Sequence, residues 1–170
     1  GDSWPAVLTP DGRFVAFASD ASNLVPNDLN GWRDIFVRDR QLATTELVSV
    51  SSTGAQANAT CDVLTISADG NVVGIRTMAS NLVPGDTNGL FDVFVHDRTT
   101  GLTERVTVSS AGTQANGGSG DSFSYHFLSG DGSQVVFTSF ASNLVASDTN
   151  GAPDVFVRDR LANVTSKTSV

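Results

Sequence analysis

The sequence predicts an all-β protein made of three copies of one four-stranded antiparallel unit. Three observations carry that prediction: a composition that favours strands and turns, an internal repeat over nearly the whole chain, and short apolar runs bounded by turn signals in every copy. The chain has 170 residues, ten Lys+Arg and 18 Asp+Glu, for a net charge of −8. Its acid is almost all Asp, with Glu only at Glu46 and Glu104, and its one lysine is Lys167. Helical proteins favour Glu and Lys, whereas Asp, Asn, Gly, Ser and Thr favour turns and strands. No segment sustains a 3.6-residue apolar period.

The repeat is read directly from the residues. Asp11-Gly12 returns as Asp69-Gly70 and Asp131-Gly132, at steps of 58 and 62 residues. Ser22-Asn23-Leu24-Val25 returns at Ser80 and Ser142, and Asp34-Ile35-Phe36-Val37-Arg38-Asp39-Arg40 returns at Asp92 and Asp154. The four extra residues of the second step are expected in the Gly-rich stretch 117–120. The units run over about residues 1–58, 59–116 and 117–170.

Each unit reads as four strands, taken here in unit one. The first is the apolar stretch Ala6-Val7-Leu8. Asp11-Gly12 then signals a hairpin, because Gly accepts the positive φ that such turns need. The second strand, Arg13 to Ser19, is apolar on both faces, as expected of a strand buried on two sides. The third is Asp34 to Arg38 and the fourth Thr45 to Val50. A repeated four-stranded antiparallel unit is the sequence form of a β-propeller blade.

The run Thr9-Pro10-Asp11-Gly12-Arg13-Phe14-Val15-Ala16-Phe17, followed by Asp34-Ile35-Phe36-Val37-Arg38-Asp39, resembles the TolB-like (PD40) propeller repeat, and the resemblance spans all three units. It implies blades of a ring. Three blades leave a ring unfinished, since propellers close with about four to eight. Two completions are expected: a homodimer forming a six-bladed ring, or further blades in a longer chain. Apolar residues such as Phe36, Phe94 and Phe156 need covering neighbours.

The link between second and third strands carries Asp-x-Asn-Gly-x-x-Asp in every unit: Asp28, Asn30 and Asp34; Asp86, Asn88 and Asp92; Asp148, Asn150 and Asp154. Hard oxygen donors at this spacing around a sharp Gly turn suit Ca²⁺. Asp and Asn at the same places also cap turns by accepting backbone N–H bonds. Both readings stand at this level.

Ligand contact is expected where units differ. Asp20, Met78 and Phe140 diverge at one position, and Arg76 stands where the other units have Ala18 and Thr138. Trp32, Phe91 and Pro153 vary within the Asp-rich link. Trp4, Tyr125 and His126 fall in divergent first strands, which in propellers line the central channel. The expected ligand-binding set is Trp4, Arg76, Tyr125 and His126.

Several function classes are argued against. The acidic balance repels phosphate backbones, so no nucleic-acid partner is expected. No run of 18 apolar residues is present, so no membrane insertion is expected. The single Cys61 cannot form an intrachain disulfide, and no Gly-x-Ser-x-Gly nucleophile elbow occurs. The expected function is a non-catalytic binding or scaffold module for protein, peptide or glycan, which the resemblance places in the bacterial periplasm or outside the cell. Two alternatives remain open: a propeller hydrolase or lyase whose site forms only in the assembled ring, and a structural or engineered half-propeller with no ligand.

Overall fold

Turn chemistry sets the architecture. The computed structural model describes residues 1–120, 127–146 and 148–169. Among them there is no helix, and twelve strands form three separate four-stranded sheets. Blade 1 holds β1 (Ser3–Leu8), β2 (Phe14–Ser19), β3 (Asp34–Asp39) and β4 (Thr44–Leu47). Blade 2 holds β5 (Cys61–Ile66), β6 (Val72–Thr77), β7 (Asp92–Asp97) and β8 (Leu102–Arg105). Blade 3 holds β9 (Phe127–Leu128), β10 (Gln134–Ser139), β11 (Asp154–Asp159) and β12 (Val164–Lys167). Each sheet is an antiparallel meander of consecutive strands.

The Asp-Gly hairpins work as a side-chain clamp. The Thr9 amide donates to the Phe14 carbonyl at 3.0 Å and the Gly12 amide to the Thr9 carbonyl at 2.8 Å. Asp11 Oδ1 accepts from the Thr9 hydroxyl at 2.6 Å and from the Arg13 amide at 3.0 Å. Ser67, Asp69 and Asn71 repeat the arrangement, as do Ser129, Asp131 and Ser133. Gly12, Gly70 and Gly132 take φ of +72°, +76° and +73°, a region that a Cβ disfavours.

Beyond the first strand of blade 1, which begins at Ser3 rather than Ala6, two details differ from the sequence expectation. The fourth strand of blade 1 ends at Leu47 rather than Val50. Past it the Val48 amide still donates to the Ile35 carbonyl at 2.9 Å, but the Ile35 amide donates to the Ser49 hydroxyl at 3.1 Å, which itself donates to Asp34, so a side chain takes over one side of the ladder. Secondly, Ser119 bridges Ser139 just as Cys61 pairs with Thr77. The 58-residue step therefore still holds at Ser119, and the four extra residues fall between Gly120 and Phe127 rather than in 117–120. Tyr125 and His126 lie outside the described residues.

Blades stack face to face. Phe14, Ala16, Ala18, Ile35 and Val37 of blade 1 pack on Val73, Ile75 and Phe94 of blade 2. Val72, Val93 and Val95 of blade 2 pack on Val135, Phe137 and Phe156 of blade 3. The two outer faces have no blade against them. Leu24 at the blade 1 end is 36% exposed, whereas its equivalents Leu82 and Leu144 are 2% exposed. Val155 at the blade 3 end is also 36% exposed, against 0% for Ile35 and Val93. No helix of the described residues is long and apolar enough to cross a membrane, a statement that says nothing of β-barrels.

Candidate functional site

In a meander, the β1–β2 and β3–β4 turns lie at one end of each blade, and the β2–β3 links and inter-blade linkers at the other. The turn end is alike in all blades. The guanidinium groups of Arg40, Arg98 and Arg160 donate to the carbonyls of Gly12, Gly70 and Gly132. Arg98 pairs with Glu46 at 2.8 Å and Arg160 with Glu104, each tying a blade to the one before it. Sameness across units marks this end as architecture.

The opposite end collects the positions at which the units differ. Trp4 follows Ser3 in β1 as Asp62 follows Cys61 in β5, and Asp62 pairs with Arg76 across the strands. Arg33, Phe91 and Pro153 share another position, immediately before the third strands. These residues join across the blade 1–blade 2 seam. The Arg33 guanidinium lies 4.1 Å over the Trp4 ring and bonds Asp20 at 3.3 Å and Asp62 at 3.2 Å. Asp62 also bonds Arg76 at 3.1 Å, and the Arg76 guanidinium lies 3.5 Å over the Phe91 ring. Trp4 Nε1 donates to Asp20 at 3.4 Å.

The result is a continuous line, Trp4–Arg33–Asp62–Arg76–Phe91. A cleft of 240 Å³ opens beside it, lined by Trp32, Ala59, Thr60, Asp62, Met78 and Phe91. A smaller hollow of 90 Å³ between Arg76, Phe91 and Phe140 continues towards blade 3. Trp4, Trp32, Met78 and Phe140 are exposed. Stacked aromatics with bidentate cations and carboxylates can hold both the flat faces and the hydroxyl or amide edges of a ligand.

Of the expected ligand residues, Trp4 and Arg76 meet in this line. Arg33 and Asp62, which link them, were not singled out from the sequence. The signal was present, because both occupy positions where the three units carry unrelated residues: Arg, Phe and Pro at one, and Trp, Asp and Gly at the other.

The Asp-rich links lie at the same end. Asn30, Asn88 and Asn150 each accept a backbone amide two residues on, at 3.0, 3.0 and 3.1 Å. That is turn capping. The second Asp of each link is buried and accepts a hydroxyl, from Ser49, Thr107 or Ser169. The blades part at the cross-strand neighbour of Phe36, Phe94 and Phe156, which is Leu47, Arg105 and Lys167 in turn. In blade 3 the Lys167 ammonium sits 3.2 Å from Asp148 and 2.7 Å from Asp154. In blade 2 Arg105 sits 3.3 Å from Asp86 and 3.9 Å from Asp92.

The two cations do not shift carboxyl acidity alike. Lys167, with help from Ser169, pulls Asp154 down to about 2. Burial and the charge of Asp92 push Asp86 up, against the pull of Arg105. In blade 1 burial pushes Asp28 up, and it pushes Asp34 up despite the Ser49 bond, with the Asp28 charge adding to the effect. Among the described residues no group of three or more His, Cys, Asp or Glu gathers at a metal-binding distance. Cys61 is buried and its thiol is pushed up to about 12 by burial, which makes it inert as a nucleophile.

Elsewhere Arg13 bonds Asp39 at 2.7 Å and holds its carboxyl at about 2, below the ordinary 3.8. Asp131 is held at about 2 by the Ser129 and Ser133 bonds of its turn. A carboxyl depressed in the folded state contributes stability that is full above its unfolded value and lost as pH falls through the folded one. Thermal melting is thus expected to weaken between pH 3.8 and about 2. Asp39→Asn should flatten part of that acid slope, and an unchanged slope would refute the assignment.

No protein-family model matches the sequence, and no curated protein matches it either. Solved structures do match in fold. TolB from Acinetobacter baumannii aligns with a TM-score of 0.55 at 20% identity, covering 98% of this chain and 32% of that one. The tricorn protease aligns with a TM-score of 0.54 at 16% identity, covering 94% of this chain and 14% of that one. The isopeptidase AtxE2 aligns with a TM-score of 0.52 at 13% identity, covering 96% of this chain and 28% of that one. This chain therefore spans about a third or less of the length of these structures.

Proposed function

We propose, taking the TolB-type β-propeller blade as the fold of this chain, that it is a non-catalytic binding module whose ligand surface is the link end of the blades. The observation that carries this reading is the convergence of divergent positions. Where the three units agree, residues make turns, seams and cores. Where they disagree, Trp4, Asp20, Arg33, Asp62, Arg76 and Phe91 fall together on one rim. Drift at unrelated tolerant sites would scatter rather than build one bonded line.

The ligand class is a peptide, protein segment or glycan, to which exposed Trp faces and paired Arg and Asp groups are suited. Further blades of the same kind complete the ring, and two copies of this chain supply six. The exposures of Leu24 and Val155 support that completion, since each is buried wherever a neighbouring blade exists. An extracytoplasmic location in a bacterium accords with the TolB-like resemblance.

The test has two readings. Light scattering after size exclusion should give about twice the chain mass, whereas a monomer would assign the missing blades to a longer chain. Tryptophan fluorescence titrated with a panel of peptides and oligosaccharides should respond to at least one class. Arg76→Ala and Trp4→Ala should each weaken that binding about tenfold or more, as removal of a central interface anchor does. Binding indifferent to both substitutions would exclude this rim as the site.

A further inference from the structure

The three Asp-rich links have the same backbone design but different counter-charges. In blades 2 and 3 the two link carboxylates converge on one side-chain cation, Arg105 or Lys167. In blade 1 the corresponding residue is Leu47. Asp28 and Asp34 are buried there as deeply as their counterparts, yet no ion pair involves either of them among the described residues. Asp34 is 0% exposed, and its Oδ2 has no hydrogen-bond partner. The Asn30 amide group, which donates to the Ala57 carbonyl at 3.0 Å, also favours the charged Asp34 carboxylate, but it is neutral and supplies no counter-charge. A buried anion pair without a cation is costly, and the same fold twice sets a cation against that pair.

We propose that the β2–β3 link of blade 1 binds one hard divalent cation of calcium size through Asp28 and Asp34, and that the equivalent links of blades 2 and 3 bind none because Arg105 and Lys167 take the ion's place. Blade 3 supplies the geometry. There both carboxylates reach a single positive centre at 3.2 and 2.7 Å. Ca²⁺ needs oxygens at about 2.3–2.6 Å, so a small inward closure of the same two carboxylates holds the ion, with water completing its shell. Mg²⁺, which demands a tighter octahedron and gives up water reluctantly, fits a two-carboxylate link less well. Two carboxylates set a modest affinity, in the range of about 10⁻⁴–10⁻³ M typical of extracellular calcium modules. The ion would fasten the link that carries Trp32 and Arg33, and so steady the rim described above.

The test uses the whole chain with CaCl₂ against a chelator. Calorimetric titration should give one ion per chain. The melting temperature should rise by about 3–5 °C at saturating calcium, by preferential binding to the folded state. Terbium bound at the same place should luminesce on tryptophan excitation, because Trp32 lies within the link. Leu47→Lys rebuilds the blade 3 arrangement, so it should melt higher than the parent in chelator and lose the calcium response. Asp28→Asn, which needs no repacking, should lose the response as well. Arg105→Leu should add a second ion. The proposal is overturned by a parent chain that does not respond to calcium, by a response that survives Leu47→Lys or Asp28→Asn, or by three ions per chain. A Leu47→Lys gain in stability without any calcium effect in the parent would likewise overturn it, leaving a shared proton to relieve the pair.

Discussion

Phe94→Ala is expected to cost about 3–5 kcal/mol of stability, the range for truncating a large buried aromatic. Phe94 is fully buried and belongs to the core cluster that joins blade 1 to blade 2. Its removal leaves a void between two sheets, each braced by its own hydrogen bonds, so the gap cannot collapse without shifting a whole blade. For a chain of this size the loss corresponds to a fall in melting temperature on the order of 10 °C. The seam also couples the blades, because in a repeat protein each unit is stabilised by its neighbour. Denaturant unfolding of the variant should therefore be less cooperative than that of the parent. A melting temperature within about 2 °C of the parent would show that the seam is not where stability resides.

That seam explains a division of labour along each unit. Residues that face a neighbouring blade are apolar and alike, since Ile35 and Val93 perform one task and Leu82 and Leu144 another. Residues at the turn end repeat because every Asp-Gly turn needs the same clamp, and Arg40, Arg98 and Arg160 each bond the carbonyl of the turn glycine. Only the link end is free to vary, and there Arg33, Asp62 and Arg76 have assembled a network that no single unit contains. Asp62 belongs to blade 2 and Arg33 to blade 1, so the rim exists only because the blades are stacked.

The sequence made the blades legible because their signals are local. Asp11-Gly12 fixes a turn within six residues, and the alternation of β2 and β3 names their faces. What escaped was set by contacts distant in sequence. Leu47, Arg105 and Lys167 look like ordinary strand-end substitutions until the structure places two of them against the link carboxylates of their own blade. The calcium pattern in Asp28, Asn30 and Asp34 was equally visible in all three units, and local spacing could not tell which had its own cation. Composition places the four extra residues in the Gly-rich stretch, whereas the pairing of Ser119 with Ser139 moves them later.

Gly70→Ala should be far more damaging than Gly12→Ala, although both glycines sit at the same place in the same turn. Both have positive φ, +72° at Gly12 and +76° at Gly70, so an alanine is strained at either. That strain alone costs about 1 kcal/mol or somewhat more. The surroundings differ. A Cβ on Gly12 would meet only the end of the Arg40 side chain, at 3.6 Å. A Cβ on Gly70 would come within 2.2 Å of the Phe14 ring of the preceding blade. Phe14 cannot swing away easily, since it is buried in the seam with the guanidinium groups of Arg13 and Arg98 at 4.6 and 4.9 Å from its ring. Overpacking of this kind adds about 1–3 kcal/mol to the backbone strain. Gly132, whose Cβ would come within 2.7 Å of Val72, should behave like Gly70. Melting curves of the three alanine variants would therefore rank Gly12 as mild and the other two as severe. Equal losses at all three would mean that the turn backbone alone sets the requirement for glycine and that the blades do not press on it. The ranking also reports on ring completion. Gly12 is spared only while no blade stands before blade 1, so a Gly12→Ala penalty matching that of Gly70 in the assembled ring would place a neighbouring blade against that face.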